Sequence, residues 1–231
     1  MSEKIVVFTG AGVSQESGLR TFRDMGGLWQ EHNIEDVASP EGFERNPAMV
    51  LEFYNQRRRK LGEVEPNAAH RAIAELERDF DVVVVTQNVD DLHERAGSTR
   101  VVHIHGEILK NRSSVDPALR YPAGGKIDID LGDLCEKGSQ LRPDVVWFGE
   151  DVLHYPESVQ HFRDADRVLV VGTSLTVVPA AGLIRYAAAK AEKVVVALDL
   201  DTVPHGFHFL RGKATEMVPQ VTDAWRRGRR P

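Results

Sequence analysis

The fold class of this 231-residue chain is decided by one stretch near its start, KIVVFTGAGVSQESG at Lys4–Gly18. Ile5 to Phe8 form a short apolar run without polar alternation, which is typical of a strand that is buried on both faces of a sheet. Glycines follow at positions 10 and 12, where a strand-to-helix turn lets the backbone approach a phosphate. The pattern is not the GxGxxG of hydride-transferring dehydrogenases, because Gln15 stands at the third glycine position. The stretch predicts a dinucleotide-binding turn, and a tight turn without a ligand is the alternative.

Similar apolar runs alternate with amphipathic segments along the rest of the chain. We predict strands at Ile5–Phe8, Val82–Thr86, Val101–Ile104, Val145–Phe148, Val168–Val171 and Val194–Leu198, and helices at Pro47–Leu61, Asn67–Arg78, Val89–Ala96, Pro179–Ala191 and Glu216–Arg226. This order predicts an α/β fold with a Rossmann-like, doubly wound parallel sheet.

Two segments interrupt the alternation, a helical one at about 31–62 and an irregular one at about 107–142. Long insertions of this kind are functional or form a module of their own, so we expect the two to build a smaller lobe. The sheet domain then comprises about residues 1–30, 63–106 and 143–231. Together they make a single catalytic unit over residues 1–231.

Composition excludes several classes of protein. The hydrophobic fraction of 42% and the charged fraction of 28% exclude collagen-like and wholly disordered chains. The single cysteine, Cys135, excludes an intramolecular disulfide and a zinc site made of cysteines. The net charge of −6 does not favour a nucleic-acid-binding protein, and no apolar run has the roughly 20 residues of a membrane span. We expect a soluble, cytoplasmic protein without a specific nucleic-acid or membrane partner.

Polar or small residues follow three further predicted strands, at the points where those strands end. They are Gln87, Asn88, Asp90, His105, Gly172, Thr173 and Ser174. The carboxyl ends of parallel strands meet at one edge of an open α/β sheet, which is where such sheets bind ligands. Each group alone is equally well explained by helix capping, but four strand ends that converge favour a dinucleotide site.

The sequence resembles the sirtuins, the NAD-dependent protein deacylases. The matching segments are GAGVSQESGLRTFR at Gly10–Arg23, TQNVDDLHERAG at Thr86–Gly97, HIHGE at His103–Glu107, LRPDVVWFGE at Leu141–Glu150 and VGTSLTVVPAAGL at Val171–Leu183. They stand in the family's order and span nearly the whole chain. The resemblance implies a cleft between the sheet domain and the smaller lobe, in which NAD meets an acyl-lysine protein or peptide. Nicotinamide and an O-acyl-ADP-ribose are the expected products.

The resemblance also implies roles for individual residues. The neutral imidazole of His105 is the expected general base that activates the ribose, while Asn88 and Asp90 are expected to hold the nicotinamide end and the attacking water. We expect His103 to be structural. The expected cofactor-binding residues are Gly10, Ala11, Gly12, Ser14, Phe22, Arg23, Gln87, Asn88, Asp90, Gly172, Thr173, Ser174, Asp199, Leu200 and Ala214. The expected substrate-binding residues are Tyr54, Arg57, Val146, Trp147, Phe148, Gly149 and Glu150, because extended peptides commonly pair with exposed backbone at such a strand edge.

The predicted helix at Pro47–Leu61 indicates which acyl group is removed. Its apolar stripe has an arginine, Arg57, near the middle, whereas Arg58 falls toward the edge and Arg59 well off it. A desolvated guanidinium favours a planar anion, and Tyr54 on the same face adds a phenolic donor.

This Tyr-x-x-Arg pair marks the sirtuin branch that removes succinyl and malonyl groups, and Thr21–Trp29 resembles that branch too. We therefore predict succinyl and malonyl removal with weaker deacetylation. An ion pair of Arg57 with Glu35 or Asp36 is the alternative.

The chain departs from the family in the smaller lobe. Most sirtuins have two Cys-x-x-Cys pairs that bind a structural zinc, and here the pairs fall near Ser113–Asp116 and Cys135–Gly138, so three of the four ligands are missing. We expect no zinc, a Cys135 that is not catalytic, and a lobe that is held by apolar packing. The expected packing residues are Ile108, Leu109, Leu119, Tyr121, Leu131 and Leu134.

Two lesser departures are Arg20, where proline is common, and Asp199, where asparagine usually meets the adenosine ribose. An aspartate still accepts hydrogen bonds from ribose hydroxyls. A sirtuin-like mono-ADP-ribosyltransferase and a non-catalytic NAD sensor remain as rival functions. The intact Asn88, Asp90 and His105 argue against the sensor, and the sequence leaves the oligomeric state open.

Overall fold

The structure is a computed structural model that describes residues 2–19 and 33–231. Its strands are β1 (Lys4–Thr9), β2 (Asp81–Thr86), β3 (Val101–His103), β4 (Gly106–Ser113), β5 (Arg120–Pro122), β6 (Leu141–Val145), β7 (Arg167–Val171), β8 (Glu192–Ala197) and β9 (His208–Arg211). Its α-helices are α1 (Gly12–Gln15), α2 (Ile34–Val37), α3 (Pro40–Arg45), α4 (Pro47–Leu61), α5 (Ala68–Glu75), α6 (Leu92–Ala96), α7 (Tyr155–Arg163) and α8 (Ala214–Arg226). Short 3₁₀ segments lie at Leu76–Arg78 and Ala180–Tyr186.

A six-stranded sheet in the order β3-β2-β1-β7-β8-β9 forms the centre of the molecule, and all of its strand pairs are parallel. Ile5 and Val7 of β1 pack into one apolar core with α5 and α8, while Val6 and Phe8 pack into a second core with α7. Apolar burial on both faces explains the continuous apolar run of the sequence. The predicted doubly wound parallel sheet is confirmed.

A second, three-stranded antiparallel sheet in the order β5-β4-β6 lies beside the first. The segment at about 107–142, predicted to be irregular, therefore contains most of an ordered sheet. The strand predicted at Val145–Phe148 is wrong, because the real strand, β6, ends at Val145 and belongs to this smaller sheet. β6 contains the charged residues Arg142 and Asp144, so it is not a continuous apolar run and the sequence pattern does not predict it as a strand. β6 also crosses the predicted boundary at residue 143, and the division into two lobes stays a prediction.

Other elements differ from the sequence prediction. The helix predicted at Pro179–Ala191 is a 3₁₀ segment that ends at Tyr186, and its Gly182 weakens α-helical preference. The helix α7 and the edge strand β9 were not predicted, since neither has an uninterrupted apolar run. Helix α4 has the predicted bounds, and the Asn46 side chain caps it by accepting a hydrogen bond from the Met49 N–H at 3.2 Å. Among the helices of residues 2–19 and 33–231, none has the length and apolarity to cross a bilayer.

Candidate active site

The glycine-rich turn after β1 meets the turn after β7, at the point where the strand order of the central sheet reverses direction. The Gly10 N–H donates to the Val171 carbonyl at 3.0 Å, and the Gly12 N–H donates to the Gly172 carbonyl at 2.8 Å. A Cβ on Gly172 would stand 2.3 Å from the Val13 nitrogen. Glycine is thus required here by the contact between two turns, and these two N–H groups are occupied within the chain. Such a switch point is where open α/β sheets bind ligands.

Three predicted site residues form a buried polar cluster beside this turn. The Asn88 amide donates to the Ser14 hydroxyl at 3.1 Å, and both side chains are buried. Burial raises the pKa of Asp90 to about 6, although hydrogen bonds from the Leu92 N–H and the Ser14 hydroxyl oppose the rise. Burying the charged Asp90 carboxylate costs free energy of folding, because the charge loses its hydration. A buried carboxylate with a raised pKa at the carboxyl end of a strand makes Asp90 a candidate functional residue.

His105 lies next to this cluster, in the turn between β3 and β4. Its Nδ1 is 3.1 Å from the Gln87 carbonyl oxygen, which can only accept, so Nδ1 carries the proton and Nε2 keeps its lone pair. Burial lowers the pKa of His105, and the imidazole is neutral at pH 7. The Gln87 side chain in turn donates to the Thr173 hydroxyl at 3.1 Å. This arrangement suits a general base whose second nitrogen is fixed by the backbone.

His103 is bonded at both ring nitrogens, to the Asn88 carbonyl at 3.0 Å and to the Glu94 carboxylate at 2.7 Å. Burial is the largest single influence and opposes the charged imidazole, but the hydrogen bond and charge of Glu94, the Asn88 carbonyl and the charge of Glu107 together raise the pKa of His103. These contacts fit the expected structural role.

The remaining predicted cofactor residues lie in different surroundings. The Ser174 hydroxyl bonds to Thr176, the exposed Asp199 carboxylate lies 2.8 Å from Arg211, and Leu200 is half-buried after β8. Ala214 starts α8 with its side chain in the apolar core, which removes that side chain from any ligand. Ala11 precedes α1 and caps it without a side-chain bond. Phe22 and Arg23, like Arg20 and the rest of Thr21–Trp29, lie outside the described residues.

The predicted substrate segment, Val146–Glu150, is a turn rather than a strand edge. The Val146 N–H donates to the His105 carbonyl and the Phe148 N–H to the Ala38 carbonyl, each at 2.9 Å. The Trp147 N–H donates to the Glu150 carboxylate at 2.8 Å, and the Glu150 N–H donates to the Trp147 carbonyl at 3.0 Å. Gly149 permits the turn with a φ of 90°. The N–H groups of Val146, Trp147, Phe148 and Glu150 are therefore bonded within the chain, and peptide binding at this segment stays a prediction.

Tyr54 and Arg57 lie one turn apart on α4, beside this segment. Tyr54 is buried, its oxygen accepts a hydrogen bond from the Trp147 indole at 2.9 Å, and burial raises its pKa to about 12. Arg57 is half-buried, with its guanidinium carbon 4.5 Å from the centre of the Phe53 ring. Burial lowers the pKa of Arg57 to about 10, and the Tyr54 phenol opposes this fall. Of the two carboxylates considered as partners for Arg57, Asp36 forms an ion pair with Arg45.

The sequence prediction missed the most buried arginine of α4. Arg58 is only 1% exposed, and it donates to the Ile127 and Lys110 carbonyls at 2.8 Å each and to the Asn111 side chain at 2.7 Å. It was expected near the edge of the apolar stripe, but residues 127–129 pack over that side of the helix. Helical periodicity carries no information about a segment 70 residues away.

An ion cluster in the antiparallel sheet was missed for the same reason. The Glu150 carboxylate accepts from both terminal nitrogens of Arg142 at 2.9 Å and also from Arg112. Both arginines are buried. No local signal in the sequence pairs these three residues.

The apolar packing expected in the smaller lobe is only partly present. Ile108 is buried and Leu109 packs against the same core, but Leu131 is 57% exposed and Leu134 is 55% exposed. Leu119 and Tyr121 are half-buried. Ile129, which was not among the expected packing residues, is also buried, and its backbone makes two hydrogen bonds to the Asn55 side chain.

Hydroxyl and thiol groups occupy the region where the family's zinc ligands were expected. Cys135 Sγ lies 3.0 Å from the Ser139 hydroxyl and 3.5 Å from the Ser113 hydroxyl, and Lys137 pairs with Asp116 at 2.6 Å. Within residues 2–19 and 33–231, no group of three or more histidine, cysteine, aspartate or glutamate side chains is arranged to hold a metal ion.

Comparison with known proteins adds a decisive observation, because the model of the Sir2 family matches residues 10–179. The chain belongs to the Sir2 family. It is 52% identical over 197 residues to an NAD-dependent protein deacylase of Helicobacter pylori strain J99, which covers 85% of this chain and 82% of the relative. It is 47% identical over 225 residues to an NAD-dependent protein deacylase of Bacteroides thetaiotaomicron, which covers 95% of this chain and 96% of the relative.

Solved structures of the same family superpose on the Sir2-family chain described here. An ADP-ribose complex of a Sir2 homologue has a TM-score of 0.89 at 37% identity and covers 98% of this chain and 93% of the homologue. An NAD complex of a Sir2 homologue has a TM-score of 0.85 at 36% identity, with coverage of 98% and 91%. The predicted family and fold are confirmed, and so is the prediction of an NAD-dependent protein deacylase.

Proposed function

We propose that this Sir2-family protein removes succinyl and malonyl groups from protein lysines in preference to acetyl groups. The observation that carries the proposal is the pairing of Tyr54 and Arg57 on one face of α4. Both groups are partly or wholly withdrawn from water, and the pKa of each responds to the other. A succinyl or malonyl chain ends in a carboxylate, which accepts hydrogen bonds from both donors, whereas an acetyl group ends in a methyl.

The catalytic roles are part of the same proposal. Bound NAD supplies the ribose carbon to which the acyl oxygen adds as nicotinamide leaves. His105 takes a ribose proton on Nε2, because Nδ1 is held by the Gln87 carbonyl. Asn88 and Asp90 orient the nicotinamide end of the site, and Ser14 keeps the Asn88 amide in place. Thr173 and Ser174 lie at the carboxyl end of β7, where they meet the rest of the cofactor.

We also propose that the smaller lobe folds without zinc and that the protein is cytoplasmic. Its proposed partners are acyl-lysine proteins or peptides rather than nucleic acids or membranes. A Sir2Af2 structure contains a myristoylated histone peptide, so long acyl chains belong among the substrates that are compared.

The test is an NAD-dependent assay on one peptide that carries acetyl, malonyl, succinyl or myristoyl lysine. We expect the wild type to have its highest kcat/KM on succinyl and malonyl lysine. Arg57→Met removes the charged donor and keeps the length of the side chain, so the ratio of succinyl to acetyl kcat/KM falls about a hundredfold. Arg59→Met is the matched control, because Arg59 lies on the same helix but is exposed and pairs with Asp128.

The proposal is contradicted if the wild type prefers acetyl or myristoyl lysine, or if Arg57→Met leaves the ratio unchanged. Mass spectrometry of the products separates the rival functions. O-acyl-ADP-ribose is expected, whereas ADP-ribose attached to protein indicates a mono-ADP-ribosyltransferase. A lack of NAD-dependent nicotinamide release indicates a sensor.

A further inference from the structure

The indole of Trp147 connects the substrate segment with the Tyr54 phenol. Its Nε1 lies 2.9 Å from the Tyr54 oxygen, and both side chains are buried. An indole N–H only donates, so the Tyr54 oxygen is the acceptor in this bond and the phenol keeps its own proton to donate. The Arg57 guanidinium also has only donors, and it takes no proton from the phenol.

The indole itself is fixed by ionic groups beneath it. The Arg142 guanidinium carbon lies 3.2 Å from the centre of the Trp147 ring, as in a close cation–π contact. Glu150 holds Arg142 through two bonds of 2.9 Å and also accepts from the Trp147 backbone N–H at 2.8 Å. The ring of Phe43 packs on the indole with a centroid distance of 5.3 Å. The direction of the indole N–H is therefore set by contacts that do not involve the substrate.

We infer that Trp147 is a positioning residue for acyl selectivity. Its N–H occupies one acceptor site of the Tyr54 oxygen, which leaves the phenol proton to donate to the terminal carboxylate of the acyl chain. Tyr54 and Arg57 then act as two donors of fixed direction. This inference rests on the proposed function, because it assigns no role to Trp147 for acyl groups without a carboxylate.

The first test is Trp147→Phe, which keeps an aromatic ring and removes the N–H. We expect kcat/KM on succinyl lysine to fall about tenfold, which is the effect of one hydrogen bond to a charged group. The loss appears mainly in KM, since the carboxylate is bound alike in the ground state and the transition state. The decisive readout is the ratio of succinyl to acetyl kcat/KM, because the phenol donor contacts only an acyl chain that ends in a carboxylate, so any loss on acetyl lysine should be smaller than the loss on succinyl lysine.

A second variant keeps the shape of the ring. Trp147→benzothienylalanine replaces the N–H with sulfur at nearly the same volume. If Trp147→Phe fails to fold, this variant still tests whether the N–H determines the succinyl rate. In a Tyr54→Phe background, neither substitution at position 147 should lower the succinyl rate further. This lack of additivity separates an action through Tyr54 from a merely structural one.

The outcomes distinguish the inference from the proposed function. If the wild type shows no preference for succinyl lysine, the proposed function fails first. If the wild type prefers succinyl lysine and Arg57→Met removes that preference, but both Trp147 variants leave it intact, only the inference fails. Equal losses on succinyl and acetyl lysine also overturn the inference.

Discussion

The central parallel sheet and the smaller antiparallel sheet bury their residues by different means. The central sheet has hydrocarbon on both faces, as shown by Val6 and Val7, which point to opposite cores and are fully buried. The smaller sheet and the helix beside it bury three arginines, Arg58, Arg112 and Arg142, each with oxygen partners. Burying an apolar side chain requires only an apolar residue type at that position. Burying a charged side chain also requires an oxygen or nitrogen partner within hydrogen-bond distance.

On the proposed function, this difference separates the residues of the chemistry from those of acyl specificity. Asn88 and Asp90 follow β2, Ser14 lies in α1 after β1, and His105 lies in the turn that joins β3 to β4. Tyr54 and Arg57, which we propose select the acyl group, instead lie on α4, the helix that also carries the buried Arg58. We therefore expect substitutions at the two places to change different measurable quantities.

The largest expected effect is the loss of turnover in His105→Ala. General-base catalysis contributes about a hundredfold to ten-thousandfold, so consumption of both NAD and acyl lysine falls by at least a hundredfold. The loss is equal on acetyl and succinyl lysine, because the base does not contact the acyl terminus. Steady-state assays of nicotinamide release and peptide deacylation measure both. If both activities persist, His105 is not the base.

The second prediction concerns the buried arginines of the smaller sheet and of α4. Arg58→Met leaves the Ile127 and Lys110 carbonyls and the Asn111 side chain without their donor. Because each buried acceptor left unsatisfied costs about 1–3 kcal/mol, we expect a loss of about 3–5 kcal/mol in the free energy of unfolding. Arg59→Met is the control, because that residue is exposed and its ion pairs are screened by solvent. Equilibrium urea unfolding gives both values. Similar midpoints for the two variants would remove the contrast between the regions.

The same contrast decides how much of the molecule was predictable. The strand β1 and helix α4 were predicted closely, because each is encoded by a local pattern: a continuous apolar run in β1 and an apolar stripe of helical period in α4. The polar strand ends were predicted to converge, and Ser14 does contact Asn88. Arg58 and the pairing of Arg112 with Glu150 were not predicted, because Glu150 lies 38 residues from Arg112 and the hydrogen-bond partners of Arg58 lie 52 or more residues away. No periodicity in a single sequence records such pairs.

A third prediction compares the buried carboxylate of Asp90 with the buried arginines of the smaller sheet and α4. Asp90 is buried, and its pKa of about 6 lies above the unfolded value of about 3.9. The carboxylate therefore destabilises the fold at pH 7, by up to about 3 kcal/mol, and protonation relieves this cost as the pH falls from 6 to 4. Asp90→Asn should be more stable than the wild type at pH 7, while losing activity.

The pH dependence is the control for that prediction. Below about pH 4 the aspartate is protonated in both the folded and the unfolded state, so the two proteins should have equal stability there. Thermal unfolding from about pH 3 to 8 tests this. An Asp90→Asn protein that is less stable at pH 7, or whose difference from the wild type is independent of pH, would show that Asp90 is stabilised by its surroundings like the arginines of the smaller sheet and α4.

The smallest expected effect is that of zinc on the smaller lobe. The Ser139 and Ser113 hydroxyls contact the Cys135 sulfur and lower the pKa of its thiol to about 7, which makes a thiolate available at neutral pH. One thiolate supplies a single ligand where a structural zinc takes four. Protein purified from zinc-supplemented medium should therefore contain far less than one equivalent of zinc per chain, and a chelator should leave Tm unchanged.

Cys135→Ser keeps a hydrogen-bonding group between the two serines, and it should unfold at the same temperature and remain active. Zinc near one equivalent per chain, lost together with Tm on chelation, would mean that ligands outside the described residues complete a site, and that the buried charges alone do not hold the smaller lobe.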